Sequence, residues 1–310
     1  MKTSFPSIAA LLAVIILSSP AGAQDMLADE ECQLDLQIDN NVDWRGPYGR
    51  GYDVFDIEQS FEIVTLSIRH QGRACDYFLT GIDEDGGGKQ TLRGPNGQLT
   101  YDVLLQPSGP SALSPDYLGD QLSRVRGRFP SGAGIQTVTL YLAVPAGQFV
   151  PGGAYSGRTL FRLFEDDFGT PVLAGQAVLG MIVPVTTALK VESRDIGPGQ
   201  RDLSIDLGDL SRGADHTLDF SVASNAGVTA EVSSANRGKL AHFANAPGIP
   251  YRFWLGGQAL DLSQPFARRG LSIAGATAAS LPVRVAVDPQ PDAAAGDYSD
   301  TLTITFIVDG

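Results

Sequence analysis

The residues best suited to chemistry in this sequence are few, and their spacing narrows what they can do. Cys32 and Cys75 are the only cysteines, 43 residues apart, and there is no C-x-x-C pair to act as a redox dithiol or to start a zinc site. The three histidines, His70, His216 and His242, are scattered. His70 lies five residues before Cys75, but one histidine beside a disulfide-bonded cysteine makes neither a zinc site nor a catalytic dyad. The densest acids, Asp83-Glu84-Asp85 and Glu165-Asp166-Asp167, offer oxygen ligands without the spacing of an EF-hand loop, so they read as solvated turns. No G-x-S-x-G elbow, H-E-x-x-H pair or G-x-G-x-x-G turn occurs. The expectation is a protein without cofactor or metal, and not an enzyme.

The N-terminus gives the cysteines their meaning. Lys2 is followed by ten apolar residues at 8–17 and by a small-residue cleavage pattern at 18–23, the arrangement of a secretory signal peptide cut after Ala23. The apolar stretch is too short to cross a bilayer as a helix. Export to an oxidising compartment makes a Cys32–Cys75 disulfide the default, and closing a 43-residue loop is worth on the order of 4 kcal/mol. With 22 basic against 35 acidic residues the net charge is −13, which disfavours a nucleic-acid partner.

The elements that must carry any site are strands. Alternating or β-branched runs occur at 61–69, 99–105, 137–144, 157–164, 178–185, 203–207, 217–222, 251–255, 281–287 and 301–308. Gly/Pro-rich turns separate them, and only 118–125 and 275–280 are passable as helix. Many short strands with turn clusters imply an all-β protein of sandwiches or barrels.

An internal repeat sets the domain count. Gly153-Ala154-Tyr155-Ser156 matches Gly296-Asp297-Tyr298-Ser299 at an offset of 143, and the strand around Tyr101 matches that around Tyr251 at an offset of 150. In this alignment Thr159-Leu160 falls on Thr301-Leu302. Each glycine turns the chain into a strand, and each tyrosine can bury its ring while its hydroxyl reaches loop backbone. The strand at 157–164 is followed by another apolar run at 172–185, whereas the strand at 301–308 runs to the end of the sequence. The expected organisation is a signal peptide over 1–23, one β-sandwich over 24–183 and a second over 184–310.

The alternating tail at 296–306, the strand at 250–255 and the Ser224-Asn225-Ala226-Gly227 turn resemble the spore coat protein U domain, the subunit domain of archaic chaperone-usher pili. The resemblance is clearest over 185–310 and weaker over 32–183, which shares the Tyr101 and Tyr155 landmarks. It implies two immunoglobulin-like sandwiches, the second lacking its last strand. The gap would be filled by a periplasmic chaperone, and after passage through an outer-membrane usher by the N-terminal extension of an adjacent pilin. Leu302, Ile304, Phe306 and Val308 would flank that acceptor groove, and the carboxylate of Gly310 would anchor the chaperone. Only eight residues, four of them acidic, separate Ala23 from Cys32, too short and too charged to serve as a donor strand. Two domains and no donor imply a tip subunit at the cell surface.

An outward first domain would bind a host or abiotic surface through its loops. Trp44, Tyr48, Tyr52 and Phe55, four aromatics interleaved with glycines, are the leading candidates, with 107–117 as a second loop. The competing reading of these aromatics is packing over one end of a sandwich. The competing reading of the whole protein is a secreted carbohydrate-binding or structural β-sandwich without a pilus partner.

Overall fold

A computed structural model describes residues 31–38, 41–84, 90–167, 169–197 and 200–309. The expected signal peptide and Gly310 lie outside them. Eleven strands form a first set: β1 (Gln33–Ile38), β2 (Asn41–Asp43), β3 (Ser60–Gln71), β4 (Cys75–Asp83), β5 (Thr91–Gly94), β6 (Gly97–Thr100), β7 (Asp102–Leu104), β8 (Val125–Phe129), β9 (Gly134–Val144), β10 (Gly153–Asp167) and β11 (Thr170–Val185). Eleven more follow: β12 (Leu189–Ser193), β13 (Ala214–Ser224), β14 (Val228–Ser234), β15 (Lys239–His242), β16 (Ile249–Pro250), β17 (Arg252–Leu255), β18 (Gln258–Leu260), β19 (Ala267–Leu271), β20 (Ala276–Val287), β21 (Tyr298–Ser299) and β22 (Leu302–Val308). Among the described residues the one helical element is a 3₁₀ turn at Leu210–Arg212. The stretch 118–125, which has passable helical spacing, is instead turns that lead into β8 at Val125. Gly119 takes a φ of +68° there, and Asp120 accepts from the amides of Leu122 and Ser123.

Every ladder between described strands stays within one set. The first set forms the sheets β1-β3-β9-β7 and β2-β11-β10-β4-β8, and the second forms β12-β13-β20-β17-β18 and β19-β14-β22. Each pair of sheets encloses its own hydrophobic core. The two orders superimpose strand for strand: β1, β3, β9 and β7 correspond to β12, β13, β20 and β17, and β10, β4 and β8 correspond to β22, β14 and β19. Even the small hairpins agree. β5 touches β10 at Ser156, and β15 touches β21 at Ser299.

The tyrosines of the repeat explain why the sequences stay similar at these points. Tyr155 donates its hydroxyl to Pro151 O at 2.9 Å, and Tyr298 donates to Ala294 O at 3.1 Å, each four residues back. Gly153 and Gly296, with φ of +140° and +139°, set the entry to those strands in backbone that other residues rarely adopt. Tyr101 bonds Thr159 Oγ1 on β10 at 2.8 Å, and Tyr251 donates to Asp300 Oδ2 beside β22 at 2.6 Å. The phase of the strands corrects one detail of the alignment. Inward-facing Leu302 corresponds to inward-facing Thr159, not to Leu160, so the repeat runs without a gap after the tyrosine.

The disulfide is formed between Cys32 and Cys75, with Cα atoms 6.1 Å apart. Cys32 precedes β1 and Cys75 opens β4, so the bond joins the two sheets of the first set. His70 stacks on Phe129 and comes within 4.8 Å of both sulfurs, which are already committed to each other.

Candidate functional site

The site grows out of a difference between the two topologies beside β22. In the first set β10 is sandwiched between β4 and β11. Its inward residues Tyr155, Gly157, Thr159, Phe161 and Leu163 are all buried, as are Leu179, Met181 and Val183 on β11. In the second set β22 pairs with β14 alone among the described residues, in antiparallel register from Ser234↔Leu302 to Val228↔Val308. No described strand corresponds to β11.

The consequence is a groove of about 2530 Å³ between the sheets. Leu302, Ile304 and Phe306 line one wall; Val191, Leu218, Phe220, Val283 and Val285 line the other. The three β22 residues alternate with exposed threonines, as a strand with one core face must, yet they remain only half-buried where their β10 counterparts are sealed. Val308 continues the alternation beyond the groove, where it faces Val228 across the ladder. The run 203–207 is extended and sends Ile205 and Leu207 against the core, but it forms no ladder, which corrects the expectation of a strand. Its counterpart in the first set, β2, is a strand because it runs parallel to β11.

One end of the groove is fixed by a polar network that sequence reasoning did not single out. Asp300 accepts from the Tyr251 hydroxyl at 2.6 Å, from Ser234 Oγ at 2.5 Å and from the amides of Asn236 and Thr301 at 2.9 and 2.8 Å. Burial first, and then donation to Asp300, hold the Tyr251 phenol far above its ordinary pKa, so it stays a proton donor. The recurring tyrosine was visible in the sequence; its carboxylate partner 49 residues later was not.

The aromatic candidates of the first set separate. Trp44 is 2% exposed and Tyr52 5%, and both join the core, with Phe55 partly buried against that core and its ring beside Phe149. Tyr52 donates to Pro145 O and forms a parallel bridge with Val185, so this segment closes the end of the sandwich next to β12. Trp44 and Tyr52 are thus core residues, while Phe55 is partly buried. Tyr48 alone is open, at 73% exposure. The acid cluster at 165–167 is engaged by arginines: Glu165 and Asp167 face Arg73, and Asp166 faces Arg126. Asp83 caps the amide of Thr91.

No family model and no curated protein matches this sequence. Among solved structures, the chain is similar to a chain of the CsuC–CsuE chaperone–tip adhesion subunit pre-assembly complex from archaic chaperone-usher Csu pili of Acinetobacter baumannii, with 10% identity, a TM-score of 0.40 and coverage of 87% of this chain and 99% of that one. It is also similar to the CupB6 tip adhesin of Pseudomonas aeruginosa, at 13% identity, a TM-score of 0.40 and coverage of 90% and 95%. A third is CfaE, the adhesive subunit of the CFA/I fimbria of enterotoxigenic Escherichia coli, at 13% identity, a TM-score of 0.34 and coverage of 90% and 82%.

Proposed function

We propose that this chain is a non-catalytic tip or minor subunit of an archaic chaperone-usher pilus, exported through the periplasm to the cell surface, where it mediates attachment and biofilm formation. In this reading residues 24–183 are the outward domain and residues 184–310 the domain that joins the fibre. The observation that carries it is the correspondence of the two strand orders around β10 and β22 with no described counterpart of β11, leaving Leu302, Ile304 and Phe306 along an open apolar groove. An uncovered apolar edge favours pairing with another chain, and strand addition supplies both backbone hydrogen bonds and alternating side chains to fill it. A periplasmic chaperone would cover β22 first and an adjacent pilin would replace it after delivery to the usher. The motif resemblance of 185–310 supports the same partners.

The reading is tested by exporting the full chain with and without a periplasmic pilus chaperone. The expected result is a soluble one-to-one complex that Ile304→Asp and Phe306→Asp each abolish, and aggregation or proteolysis without the chaperone. A stable monomer indifferent to chaperone would instead favour a secreted carbohydrate-binding or structural sandwich.

A further inference from the structure

The outer face of the β2-β11-β10-β4-β8 sheet carries a second, unrelated feature. Phe78 on β4 and Phe164 on β10 point away from the core, yet both are buried, because the connection between β7 and β8 lies over them. That connection spans twenty residues, 105–124, against eleven, 256–266, between the corresponding β17 and β19. Loops this long in compact domains are uncommon and are usually functional.

The loop is held in one shape by its own bonds. Gly81 N donates to Ala112 O at 3.1 Å, and Ser114 N donates to Gly81 O at 2.8 Å, which stitches the loop to β4. At Gly119, in positive-φ backbone, a Cβ would stand 2.9 Å from Thr80 Oγ1, so the loop approaches the sheet closely there. This fixes Tyr117 edge-on against Phe164 at 5.6 Å between centroids while leaving it 54% exposed. Leu122, later in the same loop, is 76% exposed.

Charge on this face is uneven. Arg73, Arg126 and Arg128 each face a carboxylate. Arg124 and Arg162 face none among the described residues. Arg124 spends two donors on Leu118 O and Gly119 O. Arg162 spends one on Tyr117 O, and its Nε is buried without an acceptor. Both guanidiniums also lie on rings, Arg124 over Phe78 at 4.5 Å and Arg162 over Tyr117 at 4.7 Å. Stacking and carbonyl bonds orient these cations without neutralising them, and each keeps N–H donors in the fork that suits a carboxylate.

We propose that this loop and the sheet face beneath it form a binding site for a carboxylated saccharide, of the uronic or sialic acid class. Arg124 and Arg162 take the carboxylate, and Tyr117 offers its ring to an apolar sugar face. Two arginines without an ion-pair partner among the described residues, beside a loop that also carries Asp116 and Asp120 on a chain of net charge −13, can hold a single carboxylate but not a polyphosphate backbone. The exposed tyrosine beside them suits a sugar ring and has no use for a bare anion.

The full chain, titrated with trigalacturonate and with 3′-sialyllactose, is expected to bind at least one of them. Methyl-esterified trigalacturonate or lactose, lacking the charge, should then bind at least 10-fold more weakly. Arg124→Gln, Arg162→Gln and Tyr117→Ser should each weaken binding 10-fold or more with unchanged circular dichroism, while Arg128→Gln should change it less than 2-fold. If Arg162→Gln perturbs folding, the two variants at the rim decide. Binding to neither acid, equal binding of charged and neutral sugars, or wild-type affinity in the Arg124 and Tyr117 variants would each overturn the proposal.

Discussion

β10 and β22 begin with the same glycine-tyrosine entry and carry the same alternation, yet they end in opposite states. β10 has a ladder on each side and every inward residue through Leu163 buried. Among the described residues β22 has a ladder on one side, and its inward residues stay half-open. Local sequence is therefore not what distinguishes a finished sandwich from an open one; a single neighbouring strand is. The first set holds that strand in its own chain, as β11, which follows β10 directly in sequence. The second set holds the same position open along Leu302, Ile304 and Phe306.

Supplying a strand should move the second set toward the first. An alternating apolar donor peptide, fused after Gly310 through a short Gly/Ser linker, is expected to raise the melting temperature of the second set by about 10 °C or more, roughly 3 kcal/mol or more for a domain of this size. Charged residues at the inward donor positions should abolish the gain, and the transition of the first set should not move. Scanning calorimetry reads both. Next in size is the disulfide. Replacing Cys32 and Cys75 by Ser is expected to cost the first set about 2 to 4 kcal/mol and leave the second unchanged, because the bond closes a loop only there. Equal losses in both transitions would show that the sets do not unfold independently.

A finer comparison uses the paired tyrosines. Tyr251→Phe removes a bond to a carboxylate, worth about 1.5 to 3 kcal/mol, whereas Tyr101→Phe removes one to a hydroxyl, worth about 1 kcal/mol. Denaturant unfolding of the two variants should rank them in that order. A larger loss for Tyr101→Phe would mean that Asp300 does not anchor the end of the groove.

Much of this architecture was legible in the residues. The alternation of Leu302, Ile304 and Phe306, the recurring tyrosines and the apolar run after 164 all follow from strand periodicity, and together they locate the open edge. Less legible was anything decided by a neighbour. β4 is buried along most of its length because the loop at 105–124 covers its outer face as well, so Tyr77-Phe78-Leu79 lacks the alternation of a half-buried strand. The run 203–207 alternates like a strand but forms no ladder, since pairing needs a partner that periodicity cannot supply. Trp44, Tyr48 and Tyr52 are of similar type and sit among glycines, yet two are buried and one is not. What separates them is contact with 145 and 182–185, far along the chain. Arg124 and Arg162 carry no mark in the sequence; only the fold shows that their donors go to loop carbonyls and that neither has an ion-pair partner among the described residues.

The central claim is that β22 lacks one neighbour, and amide hydrogen exchange measures that most directly. In the chain alone, the β22 amides that face β14 should be protected and the alternate amides that face the groove should exchange fast, while β10 is protected throughout 155–163. Adding the donor peptide should slow the groove-facing β22 amides by at least 100-fold without changing β10. Uniform protection of β22 before any peptide is added, or no slowing after it, would contradict the account.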